Sequence, residues 1–135
     1  MRYLRSTDGA PPLARYSPGV EIDTGTRLIL CSGQLATATN GCVPTSVYEQ
    51  TIRCLENAEA ILQSAGLDRR DIVKLTTYVT DRGHLSGYMA ARDDFFGGRA
   101  DPPASTLLIV SGFSRPEFLV EVEVVAAAER KGPAS

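Results

Sequence analysis

Apolar and polar positions alternate most regularly near the C-terminus. In "FLVEVEVVA", Val120, Val122 and Val124 interleave with Glu121 and Glu123, the period-two signature of a strand with one covered face. The valine side suits a core. The glutamate side must meet water, a cavity or a partner subunit, because unpaired carboxylates are costly to bury. "STLLIVS" reads as the preceding strand, with "GFSRPE" as the turn between them. Residues 72–80, "IVKLTTYVT", are β-branched and aromatic and read as a strand. In residues 19–34, "GVEIDTGTRLILCSGQ", the apolar spacing gives two strands joined around Thr24-Gly25.

A longer apolar spacing marks two helices. Ser46 and Glu49 have the spacing of a capping box, in which hydroxyl and carboxylate each satisfy a free backbone N–H. Val47, Ile52, Leu55, Ile61 and Leu62 follow on one stripe, and Gly66 supplies a left-handed stop. A second helix is expected over Leu85 to Phe96, turning Met89 and Phe95-Phe96 inward and ending at Gly97-Gly98. The order β-β-α-β-α-β-β lacks strict alternation, so the expected architecture is α+β, a mostly antiparallel sheet with both helices on one face. Residues 1–13, broken by "GAPP", are expected as a loose lead-in, residues 14–128 as a single domain, and residues 129–135 as a tail.

Composition narrows the functional classes. Hydrophobic residues make up 43% of the 135 and charged residues 22%, which places the chain among soluble globular domains. Its apolar runs are far shorter than the roughly 20 residues of a membrane span, and the N-terminus lacks the apolar stretch of a secretion signal. A net charge of −2 and a pI near 5.4 argue against nucleic acid as a partner. Three cysteines without CxxC spacing and a single histidine give little basis for a disulfide framework or a metal site. A cytoplasmic location fits this cysteine usage.

Several residues could carry chemistry. Glu121 and Glu123 share one strand face, with their Cβ atoms roughly 7 Å apart, where mutual charge and partial burial can raise a carboxyl pKa toward a general base. A solvated strand face is the plainer reading. "CSGQ", Cys31 to Gln34, ends a strand in small residues whose backbone N–H groups a ligand can approach closely, or is a simple strand exit. Cys31 is a nucleophile only if its pKa is lowered; a buried, inert thiol is the more ordinary role. Tyr16, before a Ser-Pro turn, either lines a pocket or packs its ring on the sheet. His84, in "DRGHL", reads as solvated.

Taken together, "YSPGV", "LILCSGQ", "GCVPTSVYEQTIRCLENAEAILQSAGLDRRDIVKLTTYVTD", "FF" and "PPAST…VEVEVVA" resemble, in order and spacing, the YjgF/RidA family of reactive-intermediate deaminases, over roughly residues 14 to 128. The resemblance implies a chorismate-mutase-like fold assembled as a homotrimer, with sites in clefts between subunits. It implies hydrolysis of enamine or imine intermediates to ammonia and a 2-keto acid, with no metal or organic cofactor. By position it assigns Tyr16 to the cleft, the backbone of Ser32 and Gly33, beside Cys31, to substrate, and Glu121 to positioning the attacking water.

The chain departs from that pattern where "DPPASTLLIV" opens. Deaminating members carry an arginine in a Pro-Ala-Arg-Ser run that forks onto the substrate carboxylate; here Ser105 occupies its position. Losing two charge-assisted bonds for one neutral hydroxyl in a desolvated cleft costs about 2–5 kcal/mol. The second helix departs as well, with Met89 where asparagine is common and Arg92 where an aromatic is common. Arg92 and Arg15 are the candidates to supply the missing cation. The expectation is therefore deamination or tautomerisation of an imine other than 2-aminoacrylate, or, alternatively, a non-catalytic trimer that binds a small metabolite in the same clefts. Ribonuclease action ranks last, since an acidic chain with one histidine gives it little physical support.

Overall fold

The computed structural model describes residues 1–5 and 8–130. Six strands and two helices run in the order β1 (Arg2–Leu4), β2 (Gly19–Glu21), β3 (Thr26–Gln34), α1 (Val47–Gln63), β4 (Ile72–Val79), α2 (Leu85–Phe96), β5 (Ala104–Ile109) and β6 (Val120–Glu129). Four of them form the main sheet in the order β3-β6-β4-β5. β3 and β4 each pair antiparallel with β6, whereas β4 and β5 run parallel. The parallel pair follows from connectivity: α2 lies between these two strands, and a helical crossover returns the chain in the same direction.

Two expectations about the N-terminal third are corrected. β2 and β3 are both strands, and Gly25 between them has φ +85°, but they do not pair as a hairpin. β2 instead pairs antiparallel with β1 in a separate two-stranded sheet. Residues 2–4, expected within a loose lead-in, thus have a strand partner. Of the expected C-terminal tail, Glu129 ends β6 and residues 131–135 lie outside the described residues.

α1 starts where Ser46 caps it, its hydroxyl accepting the Glu49 N–H. The chain leaves through Gly66, at φ +80°, with the Leu67 N–H donating back to the Leu62 carbonyl. The buried stripe of α1 is Gln50, Thr51, Cys54, Leu55, Ala58 and Leu62. Ile61, expected on it, is exposed, because it lies one residue, about 100° of helix rotation, before Leu62. α2 has the expected limits. Its deepest side chain is Tyr88, 1% exposed.

Both helices cover one face of the sheet, where Leu75, Val79, Val120, Val122 and Val124 join Leu55, Leu62, Tyr88 and Phe95 in a single core. Polar clamps secure the connections around it. Gln50, fully buried, donates to the carbonyls of Pro44 and Glu117 and accepts the Leu119 N–H. Asn57 donates to the carbonyls of Leu35 and Thr37, tying the exit of β3 to α1. The opposite face has no helix and carries Leu28, Leu30, Tyr78, Glu121, Glu123 and Leu108. Leu30 is 76% exposed there.

Candidate active site

The alternation in β6 places the two glutamates on the open face, opposite the buried valines. Their surroundings differ. Glu123 receives a hydrogen bond from the Tyr78 hydroxyl. That bond, then partial burial and the charges of Glu123 and Glu121, holds the Tyr78 phenol above its usual pKa. Glu121 has no side-chain hydrogen bond among the described residues. It lies over Gly33, where an added Cβ would stand 2.5 Å from Glu121 Oε1.

The reason is a bulge. β3 and β6 lose register between Cys31 and Gln34, so Ser32 and Gly33 sit on backbone lifted out of the regular ladder. The missing side chain at residue 33 leaves room for the carboxylate. Ser32 is exposed on this segment, whereas Cys31 turns into the core at 6% exposure. Burial raises the pKa of its thiol, so Cys31 takes the buried, inert role and is neither a nucleophile nor a substrate-binding side chain beside Ser32. Cys54 is more extreme: burial, with a smaller push from the Glu121 charge, takes its thiol up to about 12.

A second group of candidate residues assembles at the start of β5. The Ser17 hydroxyl donates to the Pro102 carbonyl and its N–H to the Pro103 carbonyl at 3.1 Å. This strap brings "YSP" against "PPAST". Tyr16, whose hydroxyl accepts the Leu13 N–H at 3.3 Å, stands between two clefts of about 350 Å³ each. One is lined by Arg5 and Arg15, the other by Lys74, Ser105 and Thr106. Tyr16 and Ser105, distant in sequence, therefore share a wall.

Ser105 is in register with Leu75 and so faces the helices. There Thr77 donates to the Tyr88 hydroxyl at 2.7 Å. Burial pushes the Tyr88 phenol pKa up, against the opposing pull of Thr77, the Arg92 charge and hydrogen bonds with Ser105 and Arg92. Arg92, 6% exposed, lies beside this phenol with its guanidinium carbon 5.7 Å from the ring centroid. Its Nε donates to Asp93 at 3.2 Å, but its buried Nη2 has no hydrogen-bond partner. An unmet buried donor on a charged group costs on the order of 1–3 kcal/mol or more. Arg15, also near Ser105, is exposed and donates to the Arg99 carbonyl.

The two groups lie on opposite faces of one sheet. Glu121 is in register with Tyr78 and Ser105 with Leu75, with β4 between their strands. Two strand spacings of about 4.8 Å and three rises of about 3.3 Å separate their Cα atoms by roughly 14 Å. Tyr16, Ser105 and Arg92 come together, as do Ser32, Gly33 and Glu121. A single chain does not join the two sets. His84 is half-buried at the start of α2, and among the described residues no cluster of three or more His, Cys, Asp or Glu side chains could hold a metal ion.

The comparisons with known proteins agree with this architecture. A family model described as Endoribonuclease L-PSP matches residues 7–128. A RutC family protein of Saccharolobus solfataricus is 32% identical over 129 residues, spanning 93% of this chain and 98% of that protein. The chain belongs to the YjgF/RidA family. This family member is also 32% identical over 124 residues to the 2-iminobutanoate/2-iminopropanoate deaminase of Escherichia coli, with coverage of 90% and 94%. Among solved structures, the Rid-family protein YyfB of Yersinia pestis superimposes with a TM-score of 0.82 at 30% identity, covering 94% of this chain and 98% of that one. The YjgF gene product of Escherichia coli gives 0.70 at 30% identity, with coverage of 85% and 89%. The chorismate-mutase-like α+β fold is thus shared.

Proposed function

We propose that this protein hydrolyses a reactive enamine or imine in clefts formed between identical copies, and that its preferred substrate is not 2-aminoacrylate. The observation that carries this reading is the seat of Glu121, a carboxylate with no side-chain hydrogen-bond partner among the described residues, lying over the side-chain-free position at Gly33. The similarity to an imine deaminase supports the reaction class. The division of Tyr16 and Ser105 from Glu121 by the sheet supports a site completed by a second copy, within the expected homotrimer.

The chemistry needs one movable proton and one fixed water. An enamine is protonated at carbon to give the iminium form of the imine. Glu121 takes a proton from water as the water oxygen bonds to the imine carbon and the C=N π pair moves to nitrogen. The proton then passes to the amino group of the tetrahedral adduct. The C–N bond breaks and ammonia leaves as the hydroxyl gives up its proton to form the carbonyl, which returns the proton taken up by the enamine. Hydrolysis of this kind is redox-neutral. In this reading the backbone at Ser32 and Gly33 holds the substrate and Tyr16 lines the cleft. The same carboxylate, moving a proton between carbon and nitrogen without water, would give tautomerisation.

Ammonia release from a panel of 2-imino acids, generated in place by an amino-acid oxidase, tests the reading. Glu121→Gln is expected to lower kcat/KM by at least 100-fold. Unchanged turnover in Glu121→Gln would remove the water-positioning role. A rate on 2-aminoacrylate matching that of an arginine-bearing relative would overturn the substrate claim. If no imine turns over, a metabolite-binding trimer becomes the better account. The engagement of Ser105 with Tyr88 in place of a free cation favours that second reading.

A further inference from the structure

Tyr78 of β4 stands directly opposite Glu121 of β6, in register and on the open face of the sheet. Glu123, two residues along, has Thr76 as its own register partner. Directly opposed residues have Cβ atoms about 4.5–5.5 Å apart and diagonal ones about 7–8 Å, both within the reach of a long aromatic side chain. The Tyr78 hydroxyl donates along the diagonal, to Glu123. Glu121, its direct neighbour, has no side-chain hydrogen bond among the described residues. The Glu121 charge is nevertheless felt at the phenol, where it adds to that of Glu123 in keeping the proton on oxygen. Lys74, on the same face of β4, donates to the Thr106 hydroxyl at 2.6 Å instead of to either carboxylate. Two carboxylates thus lie near one O–H donor, and the diagonal one has it.

The choice matters for a carboxylate that must act as a base. A hydrogen bond from a phenol stabilises the charged form, so the carboxylate takes a proton less readily, and the bond occupies lone pairs that would otherwise meet water. Glu121 is held over Gly33 by no hydrogen bond of its own, and its side chain is the flexible partner in that approach. A phenol set free on the facing strand would draw it away.

We infer that Glu123 is a positioning residue, which takes up the Tyr78 hydroxyl and so keeps that donor off Glu121, leaving the Glu121 carboxylate over Gly33 open to water. This rests on the proposed role of Glu121 in hydrolysis and gives the second glutamate of β6 a task within the same site. The donor is the hazard, and Glu123 is the acceptor that contains it.

Imine kinetics and carboxyl NMR on the full chain test this through a pair of substitutions. Glu123→Leu is expected to lower kcat by about tenfold or more, with KM within about twofold. Tyr78→Phe alone is expected to cost less than about threefold. Adding Tyr78→Phe to Glu123→Leu is expected to restore most of the lost rate, because the donor itself is gone; two merely structural contacts would add their losses. Glu123→Ala serves if Glu123→Leu fails to fold. With ¹³C-labelled glutamate, the Glu121 carboxyl resonance is expected to move in Glu123→Leu and to return in the double variant. A double variant no faster than Glu123→Leu, or a Glu121 resonance indifferent to Glu123→Leu, would overturn the inference. The two readings fail separately. If the wild type turns over no imine, the proposed reaction falls while the NMR comparison still decides which carboxylate the hydroxyl meets. If Glu121→Gln is inactive but Glu123→Leu matches the wild type, this inference alone falls.

Discussion

Gln50 and Arg92 are both polar, both buried and both on helices that cover the same sheet face, yet they stand in opposite conditions. Gln50 uses both amide donors and its carbonyl within the chain, bridging Pro44, Glu117 and Leu119. Arg92 leaves a buried nitrogen unmatched. A satisfied buried group rigidifies its surroundings, whereas an unsatisfied one stores an unmet demand that a ligand can answer. The pair thus contrasts a completed clamp with a guanidinium that keeps one donor open.

The strongest way to break that contrast is to remove the satisfied member. Gln50→Ala strands two carbonyls and one N–H, and is expected to cost about 3–5 kcal/mol, lowering the melting temperature by roughly 10–20 °C. A loss below about 1 kcal/mol in chemical denaturation would show that the clamp is ornamental. Next in size is Gly33→Ala. Its Cβ would displace the flexible end of Glu121 rather than backbone, so stability should fall by less than about 1 kcal/mol. A carboxylate moved by about 1 Å loses on the order of 100-fold in rate. Denaturation and imine kinetics on the same sample separate the two effects.

Smaller effects sharpen the scaffold side. Glu59, largely buried, accepts from Arg69 at 2.7 Å, and that bond leads the causes holding its carboxyl below the usual pKa. A depressed carboxylate stabilises the fold above its unfolded pKa and stops doing so as pH falls through the folded value. Wild type is expected to exceed Glu59→Gln by about 1 kcal/mol at neutral pH. The gap should close only under acid, below about pH 4, in denaturation series across pH. Smallest is Arg92→Gln, expected to change stability by about 1 kcal/mol or less, in either direction, because it removes an incompletely matched charge along with its bonds to Asp93 and Tyr88. A loss as large as that of Gln50→Ala would place Arg92 in the scaffold.

Much of the scaffold was legible from the sequence because its signals are local. The limits of α2, the Ser46 cap, the left-handed Gly66 and the valine–glutamate alternation each depend on neighbours within a few residues. The pairing of β2 with β1, and the parallel run of β5 beside β4, depend on contacts between distant segments. The turn residues at Thr24-Gly25 looked like a hairpin because turn chemistry does not say which sheet receives each strand. For the candidate site, alternation offered Glu121 and Glu123 alike, and the family resemblance singled out Glu121 with Gly33; their mutual approach required the bulge. Tyr88 gave no signal, since a tyrosine on a helix of mixed polarity reads as surface until Thr77 and Ser105 are seen around it. Arg92 stands out in the sequence only as a departure from the family pattern; its burial beside Tyr88 follows from the packing of α2.

The bulge at residues 32–33 has a consequence for how such a protein could be redesigned. Any residue larger than glycine at position 33 intrudes on the Glu121 carboxylate, so the half proposed to react tolerates almost no variation there. The entry to β5 is different, because the side chains at 92 and 105 can exchange size and charge on the far side of the sheet without disturbing that half. Selectivity could be retuned there by paired substitutions while the reactive machinery is left alone.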